Sequence, residues 1–399
     1  EESMAALCRA YGVSRKTGYK WIGRFAESGP LGLDDLPRTP HRHSNEVSEQ
    51  VVQAILGGRR AHPNWGPKKL RVILLRKDGN IRWPAASTIG EILKRHGLTG
   101  RRKRRHRTPP HTQPFGACDG PNAIWCADFK GWFRTSDGRR CDPLTITDGY
   151  SRYLLRCQAM SKTDGLSVRP LFEAAFRQYG LPAAIRTDNG APFASRGILG
   201  LSRLSVWWIK LGIRPERIKP GHPEQNGRHE RMHLTLKQET ACPPAKNHRR
   251  QQELFDAFRA EFNQERPHEA LEMRTPSDVY APSCRCCPER VDDFSYSELI
   301  TRRVQDRGEF MWRHHKVFLS KVLWGELIGF EPLDGRYWRV HLGPLHLGLF
   351  DSNRFQMLRK LQARRVSRQL ASLMEGPSAT LQALPSGTKP HKSVTYVPG

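Results

Sequence analysis

The sequence predicts a multidomain chain with all-α helix-turn-helix units at its N-terminal side, a central α/β core and a small β-barrel near its C terminus. Three observations predict this organisation. Helical periodicity dominates residues 1–100, strands alternate with helices from residue 121, and short strands separated by turns fill residues 307–358. The 399 residues are enough for several domains, and the hydrophobic fraction of 37% is enough for their cores.

The charge balance of the chain points to a polyanionic partner. Lysine and arginine number 66 against 39 aspartates and glutamates, which gives a formal net charge of +27, more than solubility requires. Nine scattered cysteines without a signal peptide argue against a disulfide framework, and no apolar run approaches the roughly 20 residues of a membrane span. We therefore expect a cytoplasmic protein that binds nucleic acid and has no membrane partner.

The first helical unit is predicted at residues 1–30, in "MAALCRAYGVSRKTGYKWIGRF". Gly12 breaks the helical pattern and Ser14 is a candidate N-cap for a second helix. The first helix has one apolar face and the second helix has another, and their members are Ala6, Leu7, Ala10 and Tyr11 on the first and Tyr19, Ile22 and Phe25 on the second. Arg15, Lys16 and Lys20 would be exposed near the start of the second helix, where a recognition helix contacts DNA. A plain helical hairpin is the alternative interpretation.

A basic, proline-containing linker is predicted at residues 31–46 and a second helix-turn-helix unit at residues 47–100, with a purely structural bundle as the alternative. The linker at 101–120 begins with "RRKRRHR". A run of like charges is often only a solvated segment, but between two folded units of a basic protein a phosphate contact is favoured. The residues expected to make it are Arg101, Arg102, Lys103, Arg104 and Arg105.

The α/β core is predicted at residues 121–283, where three antiparallel strands precede a helix and the short buried strand "AAIRTDNG". A linker at 284–306 contains Cys284, Cys286 and Cys287, whose spacing is too tight for a zinc site and which stay without an assigned function. The small β-barrel is predicted at 307–358. Residues 359–399 are polar and basic and are expected to be a disordered tail.

Three acidic positions stand out in a chain this basic. Asp128 lies on the first predicted strand of the core, and Asp188 follows the strand after the first helix, at the edge where α/β sheets place their sites. The third is one of the two glutamates in "GHPEQNGRHE" at 221–230. Carboxylates gathered from separate elements suit Mg²⁺ or Mn²⁺, and two such ions can serve in-line phosphoryl transfer.

Several motifs follow one another in the order typical of one family. The motifs are "WCADFK", "ITDGYSRYL", "IRTDNGAPF", "GHPEQNGRHERMHLTLK" and "FNQERPHEAL", and the last is followed by "TPSDVY". This series, which covers about 160 residues, resembles the integrase-core (DDE) transposases of bacterial insertion sequences, relatives of retroviral integrases. The resemblance implies an RNase H-like fold, an Asp-Asp-Glu triad that binds two Mg²⁺ ions, cleavage of element ends and strand transfer.

The resemblance assigns the triad to Asp128, Asp188 and Glu230. Glu224 leaves 35 residues after Asp188, the spacing common in relatives, whereas Glu230 leaves 41. The local pattern nevertheless matches Glu230, and Glu230 opens a helical stretch, which holds a ligand more rigidly than the loop around Glu224. Asp148 is expected to have no metal duty.

The remaining polar residues of these motifs are assigned to DNA or to solvent. Asn189, Asn226 and Lys237 are expected to contact DNA, although an ordinary solvated lysine is the alternative for Lys237. Three histidines lack a suitable cysteine set for zinc, so DNA contact or exposure is expected for His222, His229 and His233.

These assignments predict a DNA transposase that cleaves and joins insertion-sequence ends. It would act on double-stranded DNA of element ends and target, as a homodimer or larger assembly associated with the bacterial nucleoid. A non-catalytic DNA-binding regulator derived from a transposase and an RNase H-type nuclease are the two alternative functions.

Overall fold

The computed structural model describes residues 2–35, 46–100, 118–218 and 227–374. The chain divides into two compact units, Glu1–Gly58 and Arg59–Gly399. No helix among the described residues is long and apolar enough to cross a membrane.

The first unit contains the two N-terminal helices that the sequence predicts. Its elements are α1 (Met4–Ala10), α2 (Arg15–Ser28), a 3₁₀ helix (Gly29–Leu33) and most of α3 (Glu49–Ala61). Ser14 caps α2 as predicted, since its side chain accepts a hydrogen bond of 3.1 Å from the Thr17 backbone N–H.

Several apolar side chains of this unit are exposed. Tyr11 is 79% exposed, Tyr19 62%, Ile22 54% and Phe25 51%. The short helix α1 and the 3₁₀ turn offer too little surface to cover α2.

The second unit begins with the rest of α3, followed by α4 (Pro67–Lys77) and α5 (Ala86–Arg95). The two latter helices pack through regularly spaced aliphatic residues, and two tryptophans are buried with them. The buried side chains are Trp65, Leu70, Leu74, Trp83, Ile89, Ile92 and Leu93. The periodicity that predicted helices in residues 47–100 thus corresponds to a packed helical layer.

The core of the second unit is a six-stranded mixed sheet. Its strands are β1 (Ile124–Phe129), β2 (Phe133–Arg134), β3 (Arg140–Asp148), β4 (Leu154–Met160), β5 (Ala184–Thr187) and β6 (Arg214–Arg217). Strand β3 pairs antiparallel with β1, β2 and β4, whereas β5 joins β1 in parallel and β6 joins β5 in parallel. The carboxyl ends of β1 and β5 therefore meet at one edge of the sheet.

Helices cover this sheet on both faces. They are α6 (Gly165–Tyr179), α7 (Arg203–Lys210), α8 (Gly227–Thr240) and α9 (His248–Gln264). One apolar cluster joins α6 and α7 to the sheet and is rich in aromatic rings, such as Phe172, Phe176 and Trp208. A second cluster joins α8 and α9 to β4 through Met232 and Phe255. Sheet residues buried on both faces hold the α/β core in three layers, as the pattern of the sequence indicates.

The helices of residues 59–100 dock on α9 and on the segment that follows it. His62 Nδ1 lies 3.0 Å from a Glu261 carboxylate oxygen, and Arg76 donates to the Met273 carbonyl at 3.2 Å. Lys68 lies 3.4 Å from Glu269. These polar contacts fix the helical layer against the α/β core within the second unit.

The C-terminal part differs from the predicted closed β-barrel. It is a five-stranded antiparallel sheet in the order β13-β12-β11-β10-β7, beside a two-stranded hairpin of β8 and β9. The strands are β7 (Ile300–Arg303), β8 (Glu309–Trp312), β9 (His315–Phe318), β10 (Leu327–Pro332), β11 (Tyr337–Leu342), β12 (Leu345–Asp351) and β13 (Gln356–Met357).

This sheet is a curled half-barrel, so the prediction of a barrel is corrected. Its edges β7 and β13 form no ladder with each other in the described chain, and the hairpin fills the gap by side-chain packing of Phe310 and Trp312. An irregularity between Val340 and His341 bends β11. The curled sheet covers the aromatic core, and the outer backbone groups of β7 and β13 form no strand pair within the described residues.

Two predicted segments differ from the observed elements. Strand β7 lies within the predicted linker 284–306, and helix α10 (Lys360–Met374) lies within the predicted disordered tail. The sheet also packs on the α/β core, since Lys210 of α7 contacts Asp293 at 3.1 Å and Glu326 at 2.8 Å. These contacts join the C-terminal sheet to the core as one body of the second unit.

Candidate active site

Asp128 and Asp188 lie at the same edge of the sheet. The parallel register pairs Trp125 with Ile185 and Cys126 with Arg186. If this register continued two residues further, Asp188 just after β5 would be level with Asp128 and on the same face, since side chains alternate along a strand. Both side chains are half-buried. The structure therefore places both aspartates at the edge of the sheet where β1 and β5 end.

Asp188 carries an unusual carboxylate oxygen. Its Oδ1 atom is buried and has no hydrogen-bond partner within the part of the chain that the structure describes. Gly190 leaves room for this carboxylate, because a Cβ atom at position 190 would lie 2.9 Å from Oδ2 and 3.4 Å from Oδ1. Burying a charged carboxylate oxygen without a hydrogen-bond donor costs free energy unless a cation binds to it. This atom is therefore suited to be a ligand for Mg²⁺.

Asn189 stabilises the same turn. Its side-chain amide donates a hydrogen bond of 2.7 Å to the Ile218 carbonyl, just after β6. The observed contact holds the turn that carries Asp188, and the predicted DNA contact of Asn189 remains a prediction.

Glu230 lies in the first turn of α8 and its side chain is exposed. The helix is tethered beside it to the strand that pairs with Asp128. Thr145 is fully buried, and its Oγ1 lies 2.7 Å from Nε2 of His229 and 2.7 Å from Nε2 of His233. The same hydroxyl donates to the Asp128 carbonyl at 3.2 Å. One side chain thus joins the helix of Glu230 to the backbone of Asp128.

The two histidines were expected to be exposed or to contact DNA, and this prediction is wrong. His229 is 4% exposed and His233 is 5% exposed. The signal was present in the sequence, because both histidines share a helical face with Met232 and Leu236, which are buried too.

The hydrogen bonds around Thr145 define the protons on both histidines. Because the Thr145 hydroxyl donates to Asp128, each histidine must donate its Nε2–H to the oxygen of Thr145. Nδ1 of His229 lies 3.3 Å from the Thr147 hydroxyl. Burial lowers the pKa of His229 to about 4 and that of His233 to about 2, so both rings are neutral near pH 7.

We expect the stability of the protein to fall as the pH drops below about 6.5. His268 has the same property, because burial and the nearby charges of Lys69 and Arg266 lower its pKa to about 3. The folded state keeps the three histidines neutral while the unfolded chain protonates them. Each therefore removes up to about 1.4 kcal/mol of stability per pH unit between about 6.5 and its folded pKa, and none above that window.

Thermal melts at pH 7.5, 6.5 and 5.5 measure this effect. The variant His268→Gln should melt with a shallower pH dependence than the wild type, because one of the three groups is gone. A melting temperature that does not change between pH 7.5 and 5.5 would contradict the assignment.

The three candidate ligands do not form a complete metal centre. Within residues 2–35, 46–100, 118–218 and 227–374, no three His, Cys, Asp or Glu side chains are arranged to hold a metal ion. The two aspartates lie at the same edge of the sheet and the helix of Glu230 is tethered to β3, but the exposed Glu230 side chain does not close the group.

Comparisons with known proteins match two regions of the chain. The integrase core domain family matches residues 119–223 and residues 211–276, the ranges that hold Asp128, Asp188 and Glu230. A homeodomain-like domain matches residues 17–93. Residues 119–276 are thus similar to the integrase core domain family, and the chain is similar to proteins of bacterial insertion elements.

Individual relatives come from insertion elements and from a retrovirus. An uncharacterized 31.7 kDa protein of insertion element IS407 from Burkholderia multivorans is 28% identical over 286 residues, which cover 70% of this chain and 94% of the relative. A 39.2 kDa protein of insertion element IS476 from Xanthomonas euvesicatoria is 25% identical over 65% of this chain and 75% of the relative. The HTLV-2 integrase catalytic core domain, solved with magnesium, is 17% identical over 41% of this chain and 99% of that chain, with a TM-score of 0.33.

The predicted DNA-contacting residues have different positions in the protein. Arg15, Lys16 and Lys20 are exposed on α2, and Lys237 is exposed on α8. The basic run Arg101, Arg102, Lys103, Arg104 and Arg105 and the side chain of Asn226 lie outside the described residues, as does Glu224.

Asp148 is buried and hydrogen-bonded within the fold. It is 1% exposed and accepts hydrogen bonds of 2.7 Å from the Asn122 backbone N–H and 2.6 Å from the Ser151 hydroxyl. The Ser151 bond closes the turn between β3 and β4, and the Asn122 bond joins the end of β3 to the segment before β1.

Sequence reasoning missed four residues beside the site. Lys130 and Trp132 follow Asp128 in the β1–β2 connection, and Arg134 and Arg140 pair across β2 and β3. The guanidinium groups of Arg134 and Arg140 lie 5.8 and 5.3 Å from the centre of the Trp132 ring. The alternation of aromatic and basic residues in "KGWFR" could have signalled this surface.

Proposed function

We propose that the protein binds insertion-sequence ends, cleaves them by metal-dependent hydrolysis and joins the freed 3′-hydroxyl to target DNA by transesterification. The observation that carries the proposal is the buried Oδ1 of Asp188, which lacks a hydrogen-bond partner in the described chain and lies at the same edge of the sheet as Asp128. Such an oxygen suits a hard cation. The tether from Thr145 to the helix of Glu230 supports Glu230 as the third ligand.

Asp128, Asp188 and Glu230 would hold Mg²⁺ or Mn²⁺, with two ions per site. When bound, these ions supply charge neutralisation and orientation for the attacking and leaving oxygens of phosphoryl transfer. The chain contributes the placement: the sheet fixes the two aspartates, and Gly190 keeps the space beside Asp188 open. The Thr145 hydroxyl and its two histidines hold the helix of Glu230 in a buried, neutral contact.

The proposed substrate is double-stranded DNA of the element ends and of the target. Arg15, Lys16 and Lys20 would bind the DNA of an element end, and Lys237 would contact phosphates near the carboxylates. Exposed cations supply most of the affinity of such proteins for DNA. Two ends must reach one target, so a homodimer or larger assembly is proposed. Because the substrate is bacterial DNA, we place the activity in the cytoplasm at the nucleoid.

A non-catalytic DNA-binding regulator is the second candidate function. One observation favours it, namely that Glu230 is exposed and the described residues contain no three-ligand group. Such a protein would bind element ends through its helical units and would not respond to Mg²⁺.

The deciding experiment combines purified protein, a labelled element-end duplex and a target plasmid in Mg²⁺. We expect joined products from the wild type and from Glu224→Ala, and none from Asp128→Ala, Asp188→Ala or Glu230→Ala. Binding without metal-dependent cutting would favour the regulator, and nicking without joining would favour an RNase H-type nuclease. Activity of Glu230→Ala together with loss in Glu224→Ala would move the third ligand to Glu224.

A further inference from the structure

A cleft lies beside the candidate active site, between the β1–β2 connection and α8. Its volume is about 110 Å³. The floor is apolar and includes Phe133, Leu236 and Phe255, and the mouth is formed by Lys130, Trp132 and Lys237. The cleft therefore combines a flat aromatic ring, two ammonium groups and an apolar floor.

The charges at the mouth are poorly matched by acidic groups. Neither Lys130 nor Lys237 has an ion pair with any carboxylate that the structure describes. Trp132 is 56% exposed, with the guanidinium groups of Arg134 and Arg140 within 6 Å of its ring centre. Only Arg140 has an acidic partner, since Asp142 accepts from it at 2.7 Å. An anionic ligand could form ion pairs with Lys130, Lys237 and Arg134.

The cleft is close to the carboxylates. Lys130 is two residues beyond Asp128, and Lys237 is seven residues along α8 from Glu230, a rise of roughly 10 Å. A nucleotide within or next to a strand held at the carboxylates can reach the cleft.

We infer that this cleft binds an unpaired nucleotide, whose base stacks on Trp132 and whose phosphates contact Lys130 and Lys237. The inference rests on the proposed function and adds a subsite to it. Exposed aromatic rings interleaved with cations bind single-stranded nucleic acid in this way, because every base has a face that can stack. A base within an intact duplex has both faces covered by its neighbours, so the ligand is unpaired. It comes from a frayed element end or from distorted target DNA.

The test uses the full-length chain and the fluorescent base 2-aminopurine, in EDTA so that no catalysis is needed. One duplex carries the probe unpaired at the terminus of an element end, and a second carries it in a mismatch within target DNA. We expect quenching of the probe by the wild type in one of the two arms, which identifies the source of the nucleotide. Fully paired duplexes of both kinds serve as the reference.

Three variants separate stacking from general effects. Trp132→Ala should weaken binding of the unpaired probe about 5- to 100-fold and abolish the quenching, while binding of the paired duplex changes less than about twofold. Trp132→Phe should keep most of the quenching. Trp324→Ala is the matched control, because Trp324 is 52% exposed and has the Arg203 guanidinium 4.8 Å from its ring centre, yet lies in the connection between β9 and β10.

The outcomes are distinct from those of the joining assay. Quenching that is independent of Trp132 in both arms would overturn the inference, whatever the result of the joining assay. Trp132-dependent quenching by a protein that joins no DNA would support the inference and reject the proposed catalysis.

Discussion

Replacing Asp188 by asparagine is expected to lower the rate of end cleavage in Mg²⁺ by at least about 10³-fold, which corresponds to about 4 kcal/mol of activation free energy. The buried Oδ1 atom has no donor in the described chain, so its negative charge is available for a cation. An amide keeps the shape of the side chain but is a weak ligand for Mg²⁺. Single-turnover cleavage of a labelled end duplex measures the effect.

The same substitution should leave the melting temperature within about 2 °C of the wild type, because no hydrogen bond of the folded protein to Oδ1 is lost. Asp148→Asn is the matched control. Asp148 is buried and accepts hydrogen bonds from Asn122 and Ser151. In Asp148→Asn the side-chain NH₂ group would face one of these donors, which should cost about 1–3 kcal/mol in the free energy of unfolding. Cleavage per folded molecule should survive in Asp148→Asn. Equal activity in Asp188→Asn and wild type would remove Asp188 from the site.

Replacing Thr145 by valine is expected to lower both stability and cleavage. The substitution removes the hydroxyl that joins His229, His233 and the Asp128 carbonyl, and it leaves their buried polar groups without partners. We expect a loss of about 2–4 kcal/mol in the free energy of unfolding. Cleavage should fall about 10- to 100-fold, because the helix that carries Glu230 loses its attachment beside Asp128.

A loss of stability alone would not identify this positioning effect. Assays well below the melting temperature should show that Thr145→Val needs a severalfold higher Mg²⁺ concentration for half-maximal cleavage. Thr145→Ser keeps the hydroxyl and should restore the wild-type Mg²⁺ dependence. If Thr145→Val is destabilised yet has the wild-type Mg²⁺ dependence, the hydroxyl has no function in positioning Glu230.

Much of the candidate site could be predicted from local sequence. Asp128 on a strand and Asp188 just after another strand follow from the alternation of apolar segments and turns, and the parallel pairing of β1 with β5 sets them at one edge of the sheet. The assignment of Glu230 came from the ordered motifs together with the helical pattern that begins there. Local reasoning could place these residues on their strands and helix because each placement depends on residues only a few positions apart, and their function as ligands stays a prediction.

The environment of the same residues could not be predicted in this way. The helical pattern of "RHERMHLTLK" has two candidate faces, and the choice between them depends on which face meets β3. Because sequence periodicity does not state which surface will cover a helix, His229 and His233 were expected to contact DNA or to be exposed. That prediction was wrong.

The sequence by itself determined the succession of helical, α/β and β-rich segments and the three candidate carboxylates. It also determined the positive net charge, which indicates a nucleic-acid partner. Only the tertiary structure decided that Thr145 and two neutral histidines tie the helix of Glu230 to Asp128. It also decided that the C-terminal sheet curls without closing and that Trp132 stands beside Lys237 at a cleft. The physical reason is that these features are contacts between segments distant in the chain, and packing free energy, not local pattern, selects them.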